Sequence, residues 1–135
     1  MIRDDQIQTG IVSYLKTQST ITSELTTSTE IREDQWQGRD FTYPNIRVRL
    51  ISNTPLYAGD CNLHRVSLGI LVFTEDASSL NSDRIAGIIH SVLHDHHFNT
   101  SNITFSLRTT NLVPALRSNI QEWRSEVLLS GIVSG

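Results

Sequence analysis

Apolar residues recur at two different periods along this chain, and the switches between those periods divide it into elements. Ile7, Ile11, Tyr14 and Leu15 fall at i, i+4, i+7 and i+8, one stripe that predicts an amphipathic helix from Asp4 to Thr17. Asp4 and Asp5 stand at its start, where the helix dipole favours acids, and Gly10 inside it is a mild cost. Thr17 to Thr29 is rich in Ser and Thr and reads as a polar connector, in which Ile21 and Leu25, at i and i+4, permit a short second helix or turn.

Period two follows. Ile31 to Trp36 reads as a strand, and Gln37-Gly38-Arg39-Asp40 as a turn. Tyr43-Pro44 then leads into Ile46-Arg47-Val48-Arg49-Leu50-Ile51, whose strict alternation predicts a half-buried strand. Ile46, Val48 and Leu50 point inward, and Arg47 and Arg49 point outward. Pro44 fits only at the strand's beginning or on an edge. A loop over Thr54 to Asp60 separates this strand from an extended run, Cys61 to Thr74. There Val66, Leu68, Ile70 and Val72 share one face, while Leu71 and Phe73 occupy the other, so both faces are covered and the strand is central.

A second amphipathic helix is expected from Ser82 to His97. Asn81 is its N-cap, Asp83 lies in its first turn, and Leu80 and Ile85 form a hydrophobic staple. Ile85, Ile88, Ile89, Val92 and Leu93 make its apolar stripe, with Gly87, His90, Ser91 and His94 opposite and Asn99 as the breaker. Ile103, Phe105 and Leu107 alternate along a strand reaching Leu112, Asn111 to Pro114 turns the chain, and Ile120 to Val133 is a long last strand. Trp123, Val127, Leu129 and Val133 share one of its faces. The fold class is therefore α+β, a mixed or antiparallel sheet of about five strands with two main helices packed on it, in the order α-β-β-β-α-β-β.

Composition narrows the function. The 135 residues match one ordinary domain, long enough to bury about two-thirds of the unfolded surface. No apolar run approaches the roughly 18 residues of a membrane span, and the acidic start, Asp4-Asp5, is unlike a signal peptide. The single cysteine, Cys61, excludes an internal disulfide and fits synthesis in a reducing cytoplasm. A net charge of −3 argues against a chain whose main task is gripping nucleic acid. Ten arginines accompany one lysine, Lys16, and arginine is enriched at protein interfaces.

Candidate chemistry is sparse. His90 and His94 are spaced as two co-facial imidazoles need to be to share a metal, with Asp95 and His97 close by. A zinc protease would carry Glu where Ser91 stands. A histidine-rich helix end is also favoured by the dipole alone, which leaves a surface helix terminus or adventitious metal binding as the plainer account. Cys61 and His64 fall on opposite faces of an extended run, so Cys61 reads as a buried structural thiol. Asp34, Asp40, Glu75 and Asp76 read as solvated turn acids. No nucleophile elbow or phosphate-binding glycine loop occurs. No catalytic, cofactor or metal residue is therefore assigned. Arg47 and Arg49 form a basic stripe that fits Glu122 and Glu126 on the last strand, within one chain or between two.

In order and pattern, the chain resembles the tail terminator (tail-completion) proteins of long-tailed bacteriophages. The resemblance rests on the helix Asp4 to Thr17, the strand entered through Tyr43-Pro44-Asn45-Ile46-Arg47-Val48, and the apolar strand Val66 to Phe73 feeding the helix Ser82 to His97. Two closing strands, Ile103 to Leu112 and Ile120 to Val133, complete it. It spans nearly the whole chain without a diagnostic motif, and related neck and head-completion proteins share much of it. It implies a structural virion protein with no enzymatic activity and no cofactor, made in the host cytoplasm. Such a protein forms a homo-oligomeric, commonly hexameric, ring that caps the tail tube protein, stops its polymerisation and meets the head-tail connector or neck protein. DNA passes through its channel without specific binding, and no membrane is involved. The interface residues this reading selects are Gln37, Arg39 and Asp40 in the first turn, Tyr57 and Asp60 in the second loop, and Arg47, Arg49, Glu122 and Glu126 on the strands. The Ser/Thr connector is a segment that could order only on assembly. The alternatives are a neck or head-completion protein, or a metal-dependent enzyme built on His90, His94 and His97.

Overall fold

Helix α1 (Asp4–Lys16) lies between the two edges of a single curled sheet, and that placement follows from its narrow apolar stripe. A computed structural model describes residues 2–38, 41–56 and 63–135. After α1 come a short helix α2 (Ser19–Thr22) and a 3₁₀ turn (Ser28–Glu30). Then follow β1 (Ile31–Glu33), β2 (Asn45–Pro55), β3 (Leu63–Glu75), helix α3 (Leu80–Leu93), β4 (His96–Thr100), β5 (Ile103–Asn119) and β6 (Glu122–Ser134). The strand order across the sheet is β1-β2-β3-β6-β5-β4. Only β1 and β2 are parallel, and every other pair is antiparallel.

The mixed α+β class holds, with corrections. Six strands stand where about five were expected, because His96 to Thr100 forms β4 instead of the end of α3. The helix stops at Leu93: His94 is already extended, and Asp95 takes a positive φ of 55°. Asp95 N–H then donates to Leu107 O at 3.0 Å, which turns the chain directly into the β4–β5 hairpin. Ser101 and Asn102, at φ 54° and 64°, make the two-residue turn between these strands, a conformation that polar Asn tolerates. At the other end of α3 the N-cap is Ser79, two residues before the expected Asn81, and it makes no side-chain cap bond. β1 ends at Glu33, short of Trp36.

The expected turn at Asn111 to Pro114 is not a turn. β5 runs on through Pro114 to Asn119, and the chain reverses at Ile120-Gln121. Three register shifts, at Thr109/Asn111, Val113/Leu116 and Arg117/Asn119, absorb the irregularity. Proline is tolerated because this part of β5 has a strand on one side only, as edge positions allow.

The inward residues named from alternation do line the core. Ile46, Val48, Val66, Leu68, Ile70, Val72, Phe105, Val127, Leu129 and Val133 pack with Ile7, Ile11 and Leu15 of α1 and Ile85, Ile89 and Leu93 of α3. Leu71, on the opposite face of β3, is also buried, as the two-faced apolar pattern of that strand requires.

Two small residues set how closely layers approach. A Cβ on Gly10 would lie 2.8 Å from Cζ of Phe105 and 3.1 Å from Cγ2 of Thr100, so α1 touches β4 and β5 through its own backbone. Next to this contact, Tyr14 stacks on Phe98 with centroids 3.7 Å apart, and Phe98 on Phe105 at 5.0 Å. Such pairs contribute about 0.5–1.5 kcal/mol each beyond their burial. On β6, a Cβ at Gly131 would overlap the backbone carbonyl of Ser106. Gly87 of α3 differs, with nothing within 4 Å of its missing Cβ. Opposite signs follow for one substitution. Gly131→Ala should destabilise by about 1–3 kcal/mol through overpacking, and Gly87→Ala should stabilise by roughly 0.5–1 kcal/mol through helix propensity. Urea denaturation midpoints of the two variants check both.

Candidate interaction surface

The face of the sheet turned away from the helices carries Arg47, Arg49, Glu122 and Glu126, and β2, β3 and β6 set their spacing. On β2, Arg47 and Arg49 do leave the core side, but they do not form an exposed stripe. Arg47 is only 8 % exposed. Its Nη1 donates to Glu30 O at 2.6 Å and Ile46 O at 3.0 Å, and its Nη2 lies 3.5 Å from Glu30 Oε1. Glu30, 2 % exposed, also accepts from the backbone N–H of Thr42 at 2.5 Å. Trp36 closes the site: the Arg32 guanidinium sits 3.5 Å from its ring centroid and that of Arg47 5.4 Å. Burial pulls the Arg47 guanidinium below its ordinary value, and Glu30 opposes that pull. The sequence did not mark Glu30, which directly follows the Ser/Thr connector; a charge at the end of a polar run gives no sign that it will be buried.

Arg49 does reach an acid of the last strand, across an intervening strand. β3 separates β2 from β6, and Arg49 stands beside Gly69 in register. With no side chain at Gly69, the Arg49 guanidinium meets Glu126 Oε2 at 2.8 Å; a Cβ there would overlap that carboxylate. Leu71, buried next to Gly69 on the same face, lies in register with both Arg47 and Glu126.

Glu122, at the start of β6, takes different partners. It accepts hydrogen bonds from the hydroxyls of Tyr43 and, at 2.6 Å, Ser118. Burial, with Glu122 and Glu75 adding their negative charge, pushes the Tyr43 phenol up to about 12. Tyr43 and Glu122 help line a cleft of about 220 Å³ together with Trp36, Phe41, Arg47 and Phe73. Gln37 is exposed beside it. Arg39, Asp40, Tyr57, Asp60 and Cys61 lie outside the described residues.

The histidines separate. His90 and His94 stack on each other at 4.8 Å, but both turn Nδ1 to Thr109: His90 toward its Oγ1 at 2.8 Å, and His94 to its backbone N–H at 2.9 Å. His97 is carried off onto β4, where Nδ1 meets Ser106 Oγ at 2.6 Å. Among the described residues no three His, Cys, Asp or Glu side chains are grouped to hold a metal ion. His64 is buried instead as a tie between elements. Its Nδ1 faces Asn53 Oδ1 at 2.7 Å, and its Nε2 accepts from Ile2 N–H at 3.3 Å.

A feature that alternation alone did not single out is the cluster of exposed apolar side chains at one end. Leu80, at the start of α3, is 73 % exposed, and Leu116 and Ile120, on the β5–β6 hairpin, are 57 % and 76 % exposed. The loop before α3 is fixed to that hairpin by Asp76 N–H to Gln121 O at 2.8 Å and by Trp123 Nε1 to Asp76 O at 3.0 Å. Leu112 adds a fourth exposed residue farther along β5.

No protein-family model matches this chain, and no curated protein matches it. Solved structures do. A chain from the virion of a native gene transfer agent particle superposes with a TM-score of 0.74 at 14% identity, over 96% of this chain and 95% of that one. A second solved protein superposes with a TM-score of 0.63 at 11% identity, over 100% and 97% of the two chains. The likeness shows that this fold is shared end to end.

Two outcomes follow from the surface geometry. Arg47→Ala should cost roughly 3–5 kcal/mol because it strands buried Glu30, whereas Arg49→Ala, at a half-exposed pair, should cost about 0.2–1 kcal/mol; chemical denaturation of each variant separates them. The raised Tyr43 phenol means the folded chain holds that proton more tightly than the unfolded one. Its stabilising effect is complete below pH 10 and is lost as pH rises from there toward about 12. Ultraviolet difference titration should find Tyr43 titrating late, a signal absent from Tyr43→Phe and brought back toward 10 by Glu122→Gln.

Proposed function

We propose that this chain is a structural protein of a phage-type virion. In this reading it assembles into a ring at the end of the tail tube, stops tube polymerisation and joins the tail to the head. The observation that carries the reading is the end-to-end likeness to a virion chain of a gene transfer agent particle, matched over 96% of this chain. It agrees with the order and patterning that resemble tail terminator proteins. The neck or head-completion reading draws on the same likeness and differs in which partner is met first.

The surface offers means for such assembly. Leu80, Leu116 and Ile120 project from one end, and exposed apolar side chains grouped in this way mark association surfaces. Arg49, with 44% of its side chain exposed, remains available at the rim of a contact, where a charge sets orientation. Arg47 is enclosed within its own chain, so its part is to fix β2 against the 3₁₀ turn. A cyclic arrangement would cover the sheet edges without leaving an open growing end. The partners in this reading are further copies of the chain, a tail tube protein and a connector or neck protein, with DNA crossing the ring without specific contacts.

Light scattering on the untagged protein, across a concentration series and with purified tail tubes added, tests the proposal. A stable species near six times 15.2 kDa, or a ring-sized species formed only on tubes, is the expected result. Leu116→Ser with Ile120→Ser should reduce that species while leaving the monomer folded by circular dichroism. A chain that stays monomeric at every concentration and binds neither tubes nor neck proteins overturns the reading.

A further inference from the structure

The side of β5 that faces away from β6 has a strand partner only from Ile103 to Leu107, where β4 pairs with it. Beyond that, the strand runs on to Asn119 with no second strand, and its outward backbone groups need other partners. Helix α3 and its exit turn supply three. Asp95 N–H donates to Leu107 O at 3.0 Å, His94 Nδ1 accepts from Thr109 N–H at 2.9 Å, and Asp83 Oδ1 accepts from Ala115 N–H at 2.8 Å.

These acceptors are not equivalent. A carboxylate oxygen accepts whenever it is ionised, whereas an imidazole nitrogen accepts only while it carries no hydrogen. Because Nδ1 of His94 receives an N–H, the ring proton must sit on Nε2, which lies 3.2 Å from Asp95 Oδ2. The two partners of His94 therefore favour opposite states: Thr109 the neutral ring, Asp95 the charged one. The other titratable or charged groups around it are His90, stacked at 4.8 Å, Arg108, whose Nε lies 3.5 Å from Asp95 Oδ1, and His96 at the start of β4. The carbonyls at the end of α3 also favour a cation.

We propose that His94 is a proton-operated latch on the free edge of β5. In its neutral form it closes the edge at Thr109. A second ring proton sets N–H against N–H, so the imidazolium keeps Asp95 and lets go of the Thr109 N–H. His90 keeps its own bond to the hydroxyl of Thr109, which donates to a neutral ring nitrogen and accepts from a charged one.

Nuclear magnetic resonance on the wild-type protein tests this directly. Ring nitrogen shifts should place the His94 hydrogen on Nε2 alone in a sample at about pH 7.5, and on both nitrogens in one acidified until those shifts report the imidazolium. The exchange protection of the Thr109 amide, corrected for the intrinsic rate, should fall by ~tenfold or more between the two conditions while that of Phe105 stays fixed. In His94→Asn, the side-chain oxygen takes the place of Nδ1 and cannot gain a proton, so Thr109 protection should be the same at both pH values. The latch is overturned by a hydrogen on Nδ1 at pH 7.5, by unchanged Thr109 protection once the ring is charged, or by a His94→Asn variant that responds to acid as the wild type does. If that variant does not fold, the two wild-type readings decide.

Discussion

The close approach of α1 to both edges of the sheet is the constraint on which the remaining structure depends. β1 and β4 stand at opposite ends of the strand order, yet both touch the same helix. The sheet can curl that far only because Gly10 lets Phe105 and Thr100 meet the helix backbone, with the Tyr14–Phe98–Phe105 stack alongside. At its other end α1 is held by Ile2, which binds His64 of β3 and Asn53 of β2. A helix anchored at both ends in this way turns an open sheet into a nearly closed shell, with α3 filling the rest of the concave side.

Seen from outside the shell, the logic is one of short polar ties over a thin apolar layer. On the outward face of β3 Leu71 and Gly69 are buried, and the Arg49–Glu126 pair spans the bare backbone of Gly69. Beside it, Arg47 and Glu30 are enclosed under Trp36. These charges cost desolvation, which their hydrogen bonds to backbone and to each other offset. Their plain consequence is fixed geometry: the 3₁₀ turn, β1 and the Tyr43 segment are locked to the sheet by directional contacts, and the nearby 220 Å³ cleft keeps its shape.

Where a segment is both long and strongly periodic, its structure could be read directly. The stripe of α1, the alternation of β2 and the doubly apolar β3 all found their places, as did the core faces of β5 and β6. The failures have physical causes. His96 to Thr100 carries one apolar residue, Phe98, so no alternation announces β4, and positive charge near a helix end suggested a longer α3. Pro114 looked like a turn because the free side of β5, where proline is harmless, is a property of the finished sheet. Arg47 looked exposed because alternation fixes which way a side chain points and is silent on what covers it. The Arg49–Glu126 partnership was visible as a match of charge, but its route over Gly69 required the strand order.

That strand order has a further consequence, for how the molecule can fold. β6 follows the other five strands in sequence and lies in the middle of the sheet, between β3 and β5. Until it is in place, the β1-β2-β3 sheet and the β4-β5 hairpin share no ladder hydrogen bonds, and β3 shows an apolar edge to water. Sequence separations of this size make closure slow, since loop entropy must be overcome before the distant contacts form. The insertion of β6 should therefore be the committing step that joins two half-sheets into one cooperative unit. A chain emerging from a ribosome would hold its two half-sheets unjoined until β6 had been made.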